Sequence, residues 1–263
     1  MRRLSALLLI ISISFLFNEN LAQDSKKVDK NLKAALKGFK FRSIGPAFMS
    51  GRIADIAIDP KNENTWYVAV GSGGLWKTKN AGTTWTPLTD NQAFYSTGCV
   101  TIDPSNNSTI WLGTGENVGG RHVGIGHGIF KSEDGGISWK QMGLKKSEHI
   151  SKIIVHPENS NIIWVAAQGP LWSSGGERGL YKSIDGGKSW KNTLEINEWT
   201  GVTDLIINPE NPDILYAASW QRHRNVAAYM GGGPGTSIYK SVDGGDNWKK
   251  IDNGLPKENL GKI

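Results

Sequence analysis

The chain has 263 residues, 38% hydrophobic and 21% charged, with 33 Gly and 11 Trp. That balance excludes a disordered or collagen-like chain, and the Gly and Trp counts point to tight turns packed with aromatics rather than a helical core. Of the net charge of +6, residues 1–22 hold one unit and residues 24–40 hold four, which leaves one for everything beyond. The basicity therefore belongs to a short leader and not to a nucleic-acid-binding face.

Arg2 and Arg3 precede an apolar run from Leu4 to Phe17, followed by the polar segment NENLAQD. This predicts a signal peptide over residues 1–22, cleaved near Ala22 or Gln23, and an exported protein, secreted or at the periplasm or cell surface. The run is shorter than the roughly 20 residues that cross a bilayer, so no membrane span is expected after its removal. No Cys follows it to carry a lipoprotein anchor. Residues 23–41 read as a solvated basic leader. Cys99, the only cysteine, lies in the apolar run GCVTI and reads as a buried, inert thiol; no intrachain disulfide can form.

Residues 42–263 repeat. Runs ending in proline close at Pro60, Pro104, Pro157 and Pro209, and they alternate with a twelve-residue phrase. The phrase reads GLWKTKNAGTTW from Gly74, GIFKSEDGGISW from Gly128, GLYKSIDGGKSW from Gly179 and SIYKSVDGGDNW from Ser237. Two and four residues before each proline stand aliphatics: Ile58 and Ile56, Ile102 and Val100, Val155 and Ile153, Ile207 and Leu205. Seven residues after it stands an aromatic: Tyr67, Trp111, Trp164 and Tyr216. Apolar positions at period two predict strands buried on both faces, and four short strands about every 50 residues predict propeller blades. The expected fold is an all-β propeller of four-stranded blades at about 52–90, 97–142, 150–193 and 201–252. GLPKENLGKI, residues 254–263, matches the lead-in GLKKSEHISKI, residues 143–153, and reads as the start of a fifth blade. More blades of the same polypeptide are expected; four blades closing alone is the alternative.

Three copies of the phrase follow S-x-D-x-G-x-x-W. They are Ser132, Asp134, Gly136 and Trp139; Ser183, Asp185, Gly187 and Trp190; and Ser241, Asp243, Gly245 and Trp248. The first copy substitutes Thr78, Asn80, Gly82 and Trp85. The carboxylate caps turn amides, Gly supplies φ > 0 and Trp wedges between blades. A catalytic site is built once, so a phrase present in every blade is scaffold.

These phrases, the aromatic blades and the export signal resemble the Asp-box (BNR) repeat propellers, which include sialidases, xyloglucanase-type glycoside hydrolases and sortilin-type receptors. The resemblance covers about residues 42–263. Sialidases open on an F-R-I-P-type motif whose Arg binds a carboxylate; this chain has Phe41-Arg42-Ser43-Ile44. Xyloglucanases carry a catalytic Asp after the second strand of the first blade, where this chain has Gly71 within YVAVGSGGLWKTK. One of the two carboxylates of glycoside hydrolysis is thus missing from that place. The sortilin-type resemblance requires no catalytic residue.

Function is therefore sought on the face opposite the phrases. The long strand two–three loops span residues 115–127, 168–178 and 219–235, with blade connections at 89–97 and 195–200. They gather the ligand-binding candidates Arg121, His122, Trp172, Arg178, Trp199, Trp220, Arg222, His223, Arg224 and Tyr229, which offer stacking faces and forked donors. Glu116 is the first candidate acid, and Asp204, near the start of an inner strand, is a second carboxylate candidate. His122 and His127 lack a third ligand, so no metal is assigned, and GSGG and GGGPG lack the helix a phosphate cradle needs; no cofactor is assigned. The reading is an exported binding module for a protein, peptide or carbohydrate ligand. The alternative is a glycoside hydrolase whose catalytic residues lie partly outside this chain.

Overall fold

The computed structural model describes residues 32–38, 52–251, 253–256 and 260–263. The signal-peptide segment and Phe41–Ile44 lie outside the described residues. Two units divide the chain, Met1–Phe48 and Met49–Ile263. In the first, residues 32–36 form a short exposed helix within the leader read as linker; Ala34, Ala35 and the Leu and Lys around them are strong helix formers.

In the second, the described residues form four antiparallel four-stranded sheets. The first holds β1 (Ile53–Ile58), β2 (Trp66–Val70), β3 (Gly74–Thr78) and β4 (Thr86–Pro87). The second holds β5 (Thr97–Ile102), β6 (Ile110–Thr114), β7 (Ile129–Ser132) and β8 (Lys140–Gly143). The third holds β9 (Ile150–Val155), β10 (Ile163–Gln168), β11 (Arg178–Ser183) and β12 (Lys191–Leu194). In the fourth, β13 (Thr200–Ile207) and β14 (Leu215–Gln221) are followed by a two-stranded hairpin, β15 (His223–Arg224) and β16 (Tyr229–Met230), before β17 (Ser237–Ser241) and β18 (Lys249–Ile251) complete the sheet. Neighbours in sequence are neighbours in each sheet, as propeller blades require. The hairpin sits inside the long fourth-blade loop and was not foreseen, because its strands are only two residues each.

The core consists of three seams, each between consecutive blades. Val100 and Ile102 of β5 pack on Tyr67, Ala69 and Leu75 of the first blade. Ile153 and Val155 of β9 pack on Cys99 and Trp111 of the second. Leu205 of β13 packs on Trp164, Ala166 and Leu180 of the third. Burying one such aliphatic stabilises by about 1.5–3 kcal/mol. The expectation that inner strands are buried on both faces fails in the first blade, where Ile56 and Ile58 are 51% and 53% exposed, and on one face of β13, where Asp204 and Ile206 are exposed. Inner strands β5, β9 and β13 each pack on the blade before them, and among the described residues β1 has no such neighbour. Cys99 is fully buried, and burial pushes its thiol pKa up, as an inert packing residue requires.

Inner strands carry a bulge at one repeated place, beside Ala54, Gly98, Ser151 and Thr203. In the third blade the bulged Ser151 hydroxyl reaches Ala166 O and, in the next blade, Val202 O. In the fourth, the Thr203 hydroxyl reaches Ala218 O and Ile263 O. Ile263 O thus stands to Thr203 as Val202 O stands to Ser151.

The repeated phrase forms the β3–β4-type turn in each blade. In the third copy Ser183 Oγ donates to Asp185 Oδ1 at 2.8 Å and accepts Gly187 N–H at 2.8 Å. The Ser189 hydroxyl and amide donate to the same carboxylate and bring its pKa down to about 2. Asp134 and Asp243 are held low in the same way by Ser138 and Asn247. The first copy keeps the shape without charge: Thr78 Oγ1 meets Asn80 Oδ1 at 2.9 Å and accepts Gly82 N–H. Gly186 N–H donates to Asn161 O in the strand one–two turn, and Ala81, Gly135 and Gly244 do likewise in theirs, so both turns share one face. A Cβ at Gly187 would lie 2.6 Å from the Trp111 ring, so the seam itself requires glycine there.

Candidate functional site

The loop-bearing face is organised by residues 115–127, which join β6 to β7. This loop is sewn to the connections on either side of the second blade and to the long loop of the fourth. Gly115 N–H donates to Ser96 O, and Gly126 N–H donates to Glu148 O at 2.8 Å. Arg222 Nη1 donates to Val118 O at 2.7 Å, Arg224 Nε to Gly119 O at 3.1 Å, Arg121 Nη2 to Val226 O at 2.9 Å and Lys262 Nζ to Asn117 O at 2.7 Å.

Several predicted ligand residues are therefore inside the protein. Arg222 is fully buried, with its second amino group on Gly169 O, and burial brings its pKa down to about 9. Arg178, also buried, donates to the carbonyls of Gly175, Gln168, Ser173 and Pro170. Trp220 is 5% exposed and donates to Gly231 O. These three hold loops in shape; Arg222 Nε alone among their donors is buried without a hydrogen-bond partner.

Glu116 is buried too. Its carboxylate pairs with the Arg52 guanidinium and accepts Gly124 N–H at 3.0 Å. A Cβ built at Gly71 would meet that carboxylate, so Glu116 fills the space that a side chain at position 71 would need. Asp204 is exposed and accepts the amide of its neighbour Leu205, so the two candidate carboxylates are not brought together as a pair by any contact.

What remains open is a rim of aromatic and cationic groups. Trp172 and Tyr229 are each 42% exposed. The Arg224 guanidinium covers one face of Tyr229, 4.4 Å from the ring centroid. Trp199 is half-buried against the His223 ring at 4.2 Å. Arg224 N–H donates to Leu171 O and Arg222 N–H to Trp199 O, so the loops carrying Trp172, Trp199 and Tyr229 adjoin. Arg121 and His122 are exposed beside them. No cluster of three or more His, Cys, Asp or Glu side chains able to hold a metal occurs among the described residues.

Sequence reasoning missed the segment 144–149. Leu144 and Glu148 flank a one-turn 3-10 helix, Lys145–Ser147, and both adopt left-handed backbone angles with φ of 52° and 63°. Such residues store about 1–3 kcal/mol of strain each and persist where surrounding structure imposes them. Glu148 is half-buried, and desolvation raises its pKa against the opposing pull of Arg178 and Arg222. The next residue, His149, is 1% exposed, and burial lowers its pKa to about 3. The available signal was that acid stands once at this point of the repeat: nine residues before the blade's proline the other described blades have Tyr95 and Thr200.

Elsewhere, a groove of about 570 Å³ on the circumference is lined by Met142, Tyr181, Lys188 and Trp190; it is the outer lip of the seam between the second and third blades.

Comparison with known proteins places these features. The chain is 26% identical over 229 residues to the xyloglucanase Xgh74A of Acetivibrio thermocellus, covering 74% of this chain and 25% of that one. It is 24% identical over 242 residues to a xyloglucanase of Hypocrea jecorina, covering 81% and 27%. Among solved structures it superposes on an ancestral GH74 enzyme with a TM-score of 0.60 at 23% identity, over 78% of this chain and 24% of that one. The Niastella koreensis GH74 enzyme follows at 0.54 and 22%, over 74% and 28%. The chain spans about a quarter of the length of these relatives; at these identities the structural likeness shows the propeller fold. The family described as sortilin, neurotensin receptor 3 matches over residues 127–259, half of the chain, from the end of the second-blade loop to beyond β18. On that match over half of its length, the chain belongs to the Sortilin-Vps10 family.

Proposed function

We propose that this protein is an exported, carbohydrate-active propeller that binds a glucan-type polysaccharide across its loop-bearing face and hydrolyses it. One observation carries the reading: the aromatic rim of exposed Trp172 and Tyr229 and half-buried Trp199, on adjoining loops beside Arg121, His122 and Arg224. Flat aromatic faces stack on the apolar faces of sugar rings, and exposed donors orient ring hydroxyls. Similarity to xyloglucanases across three quarters of the chain supports the same substrate class. Calorimetry of the full-length protein with xyloglucan oligosaccharides tests it. Trp172→Ala combined with Tyr229→Ala should weaken binding at least tenfold, about 1.4 kcal/mol, while leaving Tm unchanged. Unaltered affinity would remove this rim from the site.

A second reading, a binding module for a protein or carbohydrate ligand without hydrolysis, is favoured by Gly71. The resemblance places a catalytic aspartate there, and the space is filled by a Glu116 carboxylate already paired with Arg52. Oligosaccharide binding with no release of reducing sugar would select this reading.

A further inference from the structure

We propose that Glu148 is the proton donor of the loop-bearing face; this rests on the carbohydrate reading above and names the group that would act within it. Its backbone is over-determined. Gly126 N–H holds the Glu148 carbonyl at 2.8 Å, and the loop backbone lies so close that a Cβ at Gly115 would come within 1.8 Å of that oxygen. The residue is thereby kept at φ 63° and ψ −25°, angles that a Glu adopts only when its surroundings impose them.

The side chain, by contrast, is uncommitted. Among the described residues its carboxylate takes part in no hydrogen bond or ion pair. Of the two nearby cations, Arg178 gives its donors to carbonyls of residues 168–175 and Arg222 gives both amino groups to Val118 O and Gly169 O. Arg222 Nε is buried and bonds neither Glu148 nor any other group among the described residues. Of the other titratable groups on the segments packed around it, His149 is buried and neutral, Glu116 is paired with Arg52, Glu177 accepts Lys146 N–H, and Lys145, Lys146, Arg121, His122 and His127 are exposed. No donor therefore stabilises the ionised form directly, and burial outweighs the two guanidinium charges, so the acid form persists above the ordinary range for Glu. A half-exposed carboxylic acid without partners, on a pinned and strained backbone, is the arrangement general acid catalysis uses.

In the step, the Glu148 carboxyl O–H passes its proton to the glycosidic oxygen as the bond from that oxygen to the anomeric carbon breaks. The oxygen departs as a hydroxyl, water adds to the anomeric carbon and releases a proton to solvent, and the Glu148 carboxylate is reprotonated from solvent.

The test compares full-length wild type with Glu148→Gln and Glu148→Asp on xyloglucan and on a 2,4-dinitrophenyl β-glycoside, whose leaving group needs no proton. Glu148→Gln should lower kcat/KM on the polysaccharide by about 10²–10⁴-fold and on the aryl glycoside by less than tenfold. It should also remove the alkaline limb of the pH profile, whereas Glu148→Asp should retain that limb with reduced activity and serves if the Gln variant does not fold. Equal losses on both substrates would show a structural role and overturn the proposal, as would no loss. If wild type binds xyloglucan but releases no sugar, the proton-donor role falls and the binding surface stands. If it neither binds nor hydrolyses, both fall.

Discussion

His149 shows how one residue couples burial to pH. Its imidazole stays neutral in the folded protein down to about pH 3, whereas an unfolded chain takes a proton near pH 6.5. Its contribution to stability is therefore complete above pH 6.5 and is lost as pH falls toward 3, by about 1.4 kcal/mol per pH unit. Urea unfolding of wild type should show a loss of about 2 kcal/mol between pH 6.5 and 5, and His149→Gln should flatten it. An unchanged slope in the variant would locate the titration in another group. At this scale sequence reasoning read residue types well and their environments poorly. Arg178, Arg222, Glu116 and Trp220 read as loop-face candidates, and each is enclosed. A loop sequence does not reveal which carbonyl, such as Val118 O for Arg222, will arrive from 104 residues away.

At the scale of the element, the phrase S-x-D-x-G-x-x-W acts twice. Within its blade, Ser and Asp close the turn; across the seam, its Trp reaches back to the preceding blade. Trp139 Nε1 donates to Leu88 O, Trp190 Nε1 to Met142 O and Trp248 Nε1 to Thr193 Oγ1, all on or beside the previous outer strand. In the opposite direction, Tyr67 O–H donates to Gly135 O and Trp164 Nε1 to Gly244 O in the following blade's turn. Trp85, with no blade before it among the described residues, is 40% exposed. Trp190→Ala should accordingly lower unfolding free energy by about 3 kcal/mol or more, and Trp85→Ala by about 1 kcal/mol or less. Chemical denaturation of the two variants side by side would check this; equal losses would contradict the wedge. The strands and this wedge were legible because they repeat. The inner-strand bulge was not, since inserting one residue leaves an alternating pattern looking only slightly irregular.

For the whole molecule, the loop of residues 115–127 ties the second blade to the fourth through Arg222, Arg224 and Arg121. Arg222→Met removes donors to Val118 O in one blade and Gly169 O in another, which leaves buried carbonyls unpaired. Limited proteolysis should then cut residues 115–127 and 221–235 together and faster than in wild type; cleavage of one loop alone would argue against a shared latch.

The division between sequence and tertiary structure follows from range. The sequence by itself determined the blades, their order, the face each turn occupies and the scaffold role of the repeated phrase. Those depend on period-two burial and turn chemistry, which act over a dozen residues and recur in register. Only the tertiary structure decided which loop residues are exposed, that Glu116 fills the space beside Gly71, and that Glu148 is strained, its carboxyl without a hydrogen bond among the described residues. Those outcomes depend on segments from different blades meeting on one face, and no local pattern encodes how a guanidinium or carboxylate will be enclosed there.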